Sequence, residues 1–157
     1  MTYHFRPLTL EDKPMFCAWL DQPHIDGWWH DGATEWALVK EDWARLDCPV
    51  DMRIVEFENT PFAYVQDYDT RAFEAPQYAY LPMGSRAIDM FLGAPEFLGK
   101  GHAAGFLRQR SDDLLAAAPV VAVDPGPQNT RAIATYARAG FQQTKITPCE
   151  DGDMVQV

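Results

Sequence analysis

Cysteine and positive charge are both scarce in this chain. Its 157 residues include three cysteines, Cys17, Cys48 and Cys149, with no C-x-x-C spacing. An odd, scattered set supplies neither a disulfide framework nor a structural zinc site, and points to a reducing compartment. Lys and Arg number 13 against 23 Asp and Glu, a net charge of −10. That balance opposes general nucleic-acid binding, which needs a basic footprint, and adhesion to an anionic membrane. It permits a cationic partner, and a well-solubilised surface gives the same net count. No apolar run approaches the roughly 18 residues of a membrane span, and Met1 to Pro7 lacks the apolar stretch of a signal sequence. A cytoplasmic protein is the expectation. His24 and His30 have no companions at metal-ligand spacing, so no metal is expected. Internal repeats and low-complexity tracts are also missing.

What is present suffices for a packed core: 47% hydrophobic and 13% aromatic residues, in a length suited to a single domain over 1–157. Tyr3 to Leu8 reads as a first strand. A helix capped by Asp12 runs to Leu20, with Pro14 in its first turn. Thr34 caps a second helix whose Trp36, Val39, Trp43 and Leu46 share one apolar face. Strands follow at 53–57 and 62–68, joined by a tight connection through Glu58 to Pro61. Residues 69 to 84 read as a long loop, and loops of that length are more often functional than idle. Then come a strand at 86–92, a glycine-containing connection, a helix from His102 to Ala117 and a buried strand at 120–123. A helix from 129 to 139 ended by Gly140, and strands at 141–146 and 154–157, complete the chain. This order predicts an α/β or α+β domain on a mixed sheet.

The run Leu98-Gly99-Lys100-Gly101-His102-Ala103-Ala104-Gly105 lies between a strand and a helix. Glycines there let backbone N–H groups approach a phosphate, and the helix N-terminus adds a favourable dipole. A Walker loop fails, because five residues separate Gly93 from Gly99 and Gly101 stands where the metal-binding hydroxyl belongs. A Rossmann turn fits poorly, because six residues separate the strand from Gly99 and only 33 follow Asp124; a plain strand–helix loop is the other alternative.

A better match is the acyl-CoA loop of the GNAT N-acetyltransferases, which Leu98-x-x-Gly101-x-Ala103 resembles. The run Asn129-x-x-Ala132-x-x-x-Tyr136-x-x-x-Gly140-Phe141 is similar to that family's following helix. Further segments resemble the aminoglycoside 6′-N-acetyltransferases and related siderophore-type acetyltransferases. They are Trp19 to His24 with Trp28-Trp29, Ala87 to Gly93, and Asp124 to Ile133. The resemblance spans Phe5 to Val157. Leu98 departs from it, since Arg or Gln is common there, and so does Ala103-Ala104, where a second glycine is common.

The resemblance implies a GNAT-like fold and an acetyl-CoA co-substrate. Leu98, Gly99, Lys100, Gly101, His102, Ala103 and Ala104 would hold the pyrophosphate. The main chain of Met90, Phe91 and Leu92 would pair with the pantetheine arm, and Asn129 and Ala132 would contact it. Tyr136 matches the residue that protonates the thiolate, and Asp89 the residue that serves as base. A carboxyl near pKa 3.9 is a weak base; burial would raise it, and an ionised Asp89 still orients a cationic amine. Trp28, Trp29, Asp67, Tyr68 and Tyr80 are candidates for the acceptor pocket, since aromatic faces and carboxylates suit a polycation. Trp19, Trp36 and Trp43 read as core, and the acidic segment 150–153 as a solvated turn. The expected reaction is direct acetyl transfer to a primary amine of a cationic small molecule, with aminoglycosides leading. Alternatives are an amine or hydroxylamine in siderophore synthesis, a polyamine, a protein N-terminus, and a catalytically silent CoA-binding module. A homodimer is left open.

Overall fold

The computed structural model describes residues 1–149 and 152–156. Among the described residues, four α-helices, α1 (Lys13–Leu20), α2 (Gly32–Ala44), α3 (His102–Leu115) and α4 (Thr130–Arg138), accompany seven strands. The strands are β1 (His4–Pro7), β2 (Val50–Phe57), β3 (Thr60–Asp69), β4 (Arg86–Leu92), β5 (Val121–Ala122), β6 (Lys145–Cys149) and β7 (Gly152–Gln156). Strands β1 to β5 form one sheet in chain order, antiparallel between β1 and β2 and parallel between β4 and β5. The mixed sheet is as expected. Strands β6 and β7 make a separate antiparallel pair. Segment 141–144, expected to begin a strand, has no regular structure; pairing starts at Lys145, opposite Gln156. Glu150, Asp151 and Val157 lie outside the described residues.

Contacts divide the chain into two compact units. The first comprises 2–66 and 90–100, the second Met1, 67–89 and 101–157. In the first, Phe16, Tyr64 and Phe91 meet at 5.0–5.6 Å between ring centroids, joined by Trp36 at 5.5 Å from Phe16. Burying such rings is the largest apolar contribution the sequence offers. Trp19 and Trp36 are buried as expected, and Trp43 packs edge-on against Trp36 at 5.7 Å. In the second, Tyr78, Leu81, Ala87 and Ala122 form a core, flanked by Tyr68, Ala75 and Val120.

Three local expectations need correction. Asp12 does not cap α1: its carboxylate turns back to accept from Arg6 Nη1 and Nη2 and from the Thr9 N–H. A bidentate pair with a guanidinium outcompetes a hydrogen bond from a single backbone N–H. Asp31, not Thr34, caps α2, accepting from the Thr34 N–H at 2.8 Å. Leu46 lies beyond the end of α2 and is 94% exposed, so it belongs to no apolar face.

At the end of β4, the N–H groups of Gly93 and Ala94 both donate to the Phe62 carbonyl, a bulge-like arrangement that interrupts regular pairing. Gly93 lies flat on Trp19, and a Cβ there would fall 2.2 Å from the indole. Gly93→Ala should therefore lower stability by about 2–3 kcal/mol or prevent folding. Urea denaturation checks this; a loss under about 0.5 kcal/mol would contradict it.

Candidate active site

Strand β4 delivers Asp89 from an otherwise apolar run. Ala87, Ile88 and Phe91 are buried, while Asp89 and Met90 are half-buried. On α4, Asn129 caps the helix by accepting from the Ala132 N–H at 3.2 Å. Tyr136 stands two turns along that helix and is 8% exposed. Burial raises the Tyr136 pKa, and the Asp89 and Asp124 carboxylates add to the rise by opposing a nearby phenolate. Asp89 and Tyr136, distant in sequence, are thus electrostatic neighbours, and Asp124 joins them from just after β5. The Tyr136 hydroxyl stays protonated at ordinary pH and can donate.

Two further residues surround Asp124. Gln77, from the helical turn at 76–78, donates through Nε2 to Asp124 Oδ2 at 2.8 Å. Tyr78 is 1% exposed, and its pKa is raised by burial, then by Asp124, Tyr68 and Asp89. Asp124, Gln77 and Tyr78 were not among the sequence candidates. Asp124 could have been found from the Asp124-Pro125 start of the motif ending at Ile133. Gln77 and Tyr78 carry no periodic signal.

The glycine run fits a phosphate. Gly99 and Gly101 have φ of +73° and +81°, a region costly for other residues, and a Cβ on either would meet nothing within 4 Å. Gly101 is the N-cap of the 14-residue α3, with no side chain to satisfy its first N–H groups. Those of His102, Ala103 and Ala104 lack intrahelical acceptors by geometry and are the groups an anion would take. Lys100 is exposed and Leu98 half-buried. The His102 side chain is 7% exposed, so its part in that run falls to its backbone. Within β4, the Leu92 carbonyl accepts from His24 Nε2–H at 2.8 Å, which fixes the protonated nitrogen and removes one group from those expected to meet a pantetheine arm. The Phe91 ring is core.

The acceptor candidates divide. In the first unit, Leu20, Asp21, Pro23, Asp26, Trp29 and Asp31 line a cavity of about 360 Å³. Trp29 also packs on Phe91 at 5.1 Å, so it serves core and cavity together, whereas Trp28 is 55% exposed. In the second unit, Tyr80 is 48% exposed, with its hydroxyl 2.9 Å from Thr144 Oγ1, and Tyr68 packs edge-on against Phe73. Asp67 departs from expectation. It is 2% exposed and gripped by Arg86 Nη2 at 2.7 Å and Arg110 Nη2 at 2.8 Å. Its charge is spent inside the protein and is not offered to a ligand. Among the described residues, no group of three His, Cys, Asp or Glu is placed to hold a metal, and no helix is long and apolar enough to cross a membrane.

The motifs and geometry agree with a family model described as an acetyltransferase (GNAT) domain, which matches residues 9–148. The chain belongs to the GNAT acetyltransferase family. It is 28% identical over 158 residues to the aminoglycoside N(6′)-acetyltransferase type 1 of Klebsiella pneumoniae, covering 96% of this chain and 79% of that protein. The solved structure of AAC(6′)-Ib in complex with paromomycin and acetyl-CoA superposes with a TM-score of 0.82 at 25% identity, over 99% and 92% of the two chains. An uncharacterized protein from Bacillus halodurans shares the fold at a TM-score of 0.87 and 18% identity, over 98% of this chain and 81% of that one.

Two predictions follow from the charges of this GNAT domain. Asp67→Ala leaves Arg86 and Arg110 without their counter-charge and should cost about 3–5 kcal/mol in denaturant unfolding; a loss below about 1 kcal/mol would contradict the grip. Tyr3, Tyr78 and Tyr136 all have raised pKa values in the folded chain. Because the unfolded chain ionises first, stability holds its full value below the unfolded pKa of about 10 and falls as pH rises from there through the folded values. Melting temperature should therefore fall above about pH 10, less steeply in Tyr136→Phe, and a flat profile would contradict the burial of these phenols.

Proposed function

We propose that the protein transfers an acetyl group from acetyl-CoA, by direct attack and without an acetylated enzyme intermediate, to a primary amine of a cationic small molecule. Aminoglycosides are the leading acceptor class. The observation that carries the reading is the convergence of Asp89, Asp124 and Tyr136. Acetyl transfer to an amine needs a proton acceptor for the nucleophile and a proton donor for the departing thiolate, and this cluster holds both types of group.

In this reading Asp89 takes the ammonium proton or fixes the amine, and Asp124 supplies a second negative charge for a polycation. Tyr136, held protonated, donates to the leaving sulfur. Bound acetyl-CoA supplies the acetyl thioester. Gly99 to Ala104 hold its pyrophosphate through backbone N–H groups, and main-chain groups of Met90 to Leu92 meet its arm. The acceptor candidates are Trp28 and Trp29 in the first unit, with Asp21, Asp26 and Asp31 adding negative charge around Trp29, and Tyr68 and Tyr80 in the second. The charge distribution supports the same division. Through Phe97 there are 7 Lys and Arg against 17 Asp and Glu, giving −10, and from Leu98 onward 6 of each, giving zero. The segment that would hold an anionic cofactor is neutral, and the acidic excess lies elsewhere in the sequence. The AAC(6′)-Ib structures with ribostamycin and with kanamycin set the acceptor class to try first. A cytoplasmic enzyme that confers antibiotic resistance belongs to the same reading.

The test is thiol release from acetyl-CoA against a panel of aminoglycosides, polyamines and hydroxylamines. Turnover with at least one cationic amine is expected. Acetyl-CoA binding in calorimetry with no turnover on any would favour a silent CoA-binding module. Asp89→Asn should lower kcat by about 100-fold or more while leaving coenzyme A affinity nearly intact, and unchanged turnover would remove Asp89 as base. Tyr136→Phe should slow thiolate departure; a wild-type rate would leave Tyr136 as packing.

A further inference from the structure

Gln77 Oε1 and the Tyr78 hydroxyl are among the buried polar atoms of the second unit that have no hydrogen-bond partner among the described residues. They sit on successive residues of one helical turn, in a loop that the sequence marked only as long. That loop is anchored at its base by the Thr70 N–H to the Ser85 carbonyl and by Arg71 Nη2 to the Leu81 carbonyl. Tyr78 and Leu81 pack into the core against Ala87 and Ala122. The turn is therefore fixed, and its polar atoms are fixed with it.

Both residues address Asp124. Gln77 Nε2 donates to Oδ2, and the Asp124 charge adds to the rise that burial gives the Tyr78 hydroxyl's pKa. A comparison within the same unit gives this arrangement its meaning. Asp67 is gripped by two guanidiniums that cancel its charge. The contact Gln77 makes with Asp124 comes from a neutral amide, which orients the carboxylate and favours its ionised form without cancelling the charge. A phenylalanine at 78 would pack the same core without burying a hydroxyl, so the hydroxyl costs stability where it stands.

We propose that Gln77 and Tyr78 are positioning residues of the acceptor site, holding the Asp124 carboxylate for the cationic amine. The inference rests on the acetyl-transfer reading and deepens it. Neither residue touches the reacting atoms; each acts through Asp124. Gln77 supplies the orienting N–H. Tyr78 supplies a hydroxyl beside the same carboxylate, and Phe at that position keeps the packing and removes only that group.

Calorimetric titration of the full chain tests it, using ribostamycin, kanamycin and spermidine as amine probes and coenzyme A as the cofactor probe, with melting temperatures for each variant. For the amine that the wild type binds best, Gln77→Leu should weaken binding about tenfold, the loss of one hydrogen bond to a charged group. Coenzyme A affinity should stay within about twofold, the cofactor run lying outside the perturbed contact. Tyr78→Phe should weaken the amine severalfold while leaving the melting temperature unchanged or higher. A merely structural role would move stability and amine affinity down together. Amine affinity unchanged in both variants, or lowered only in step with stability and coenzyme A affinity, overturns the inference alone. A wild type that binds no amine of the panel overturns the acetyl-transfer reading and this inference with it.

Discussion

The carboxylate of Asp67, buried and held by two guanidiniums, is the contact on which the second unit depends. Arg86 begins β4 and Arg110 lies on α3, so one aspartate near the end of β3 ties together three elements. A lone buried carboxylate would be costly, and so would either arginine without it; the three are stable only as a set. Strand β4 carries Asp89 three residues beyond Arg86. The grip on Arg86 thereby fixes the start of the strand that delivers the catalytic candidate.

Around that frame, the unit uses its acidic residues in two different ways. Asp67 is compensated by cations and holds structure together. Asp89 and Asp124 are gathered with Tyr78 and Tyr136, two phenols that burial and the neighbouring carboxylates keep protonated. Protonated phenols beside carboxylates make an environment in which a cationic amine gains more than a neutral one, because each adjacent negative charge attracts it and no phenolate forms to compete. At the head of α3, Gly101 takes the left-handed conformation and leaves the first N–H groups of the helix without a side-chain cap.

Much of this was legible from the sequence. The β4 boundaries, Arg86 to Leu92, emerge unchanged, because an apolar run interrupted by one aspartate leaves few alternatives. The helix start at Asn129 and the Gly140 that ends it were equally readable, since both are local chemistry. Asp12 and Thr34 were misread because a cap depends on which competing partner is nearer: Arg6 drew Asp12 backward, and Asp31 reached the Thr34 N–H first. Asp67 was assigned to the pocket because its two arginines lie 19 and 43 residues away, and no periodicity announces such a pairing. Gln77 and Tyr78 were invisible for the same reason. Their role comes from where a non-periodic loop folds back, to a residue 47 positions further along the chain.

The central claim is that the amine attacks the thioester directly, within a site built on Asp89 and Tyr136. Rapid-quench mass spectrometry of the wild-type protein mixed with acetyl-CoA and a cationic amine tests it most directly. The account predicts one added acetyl group on the amine and none on the protein at any quench time. An acetylated protein that forms and decays at the rate of turnover would contradict it.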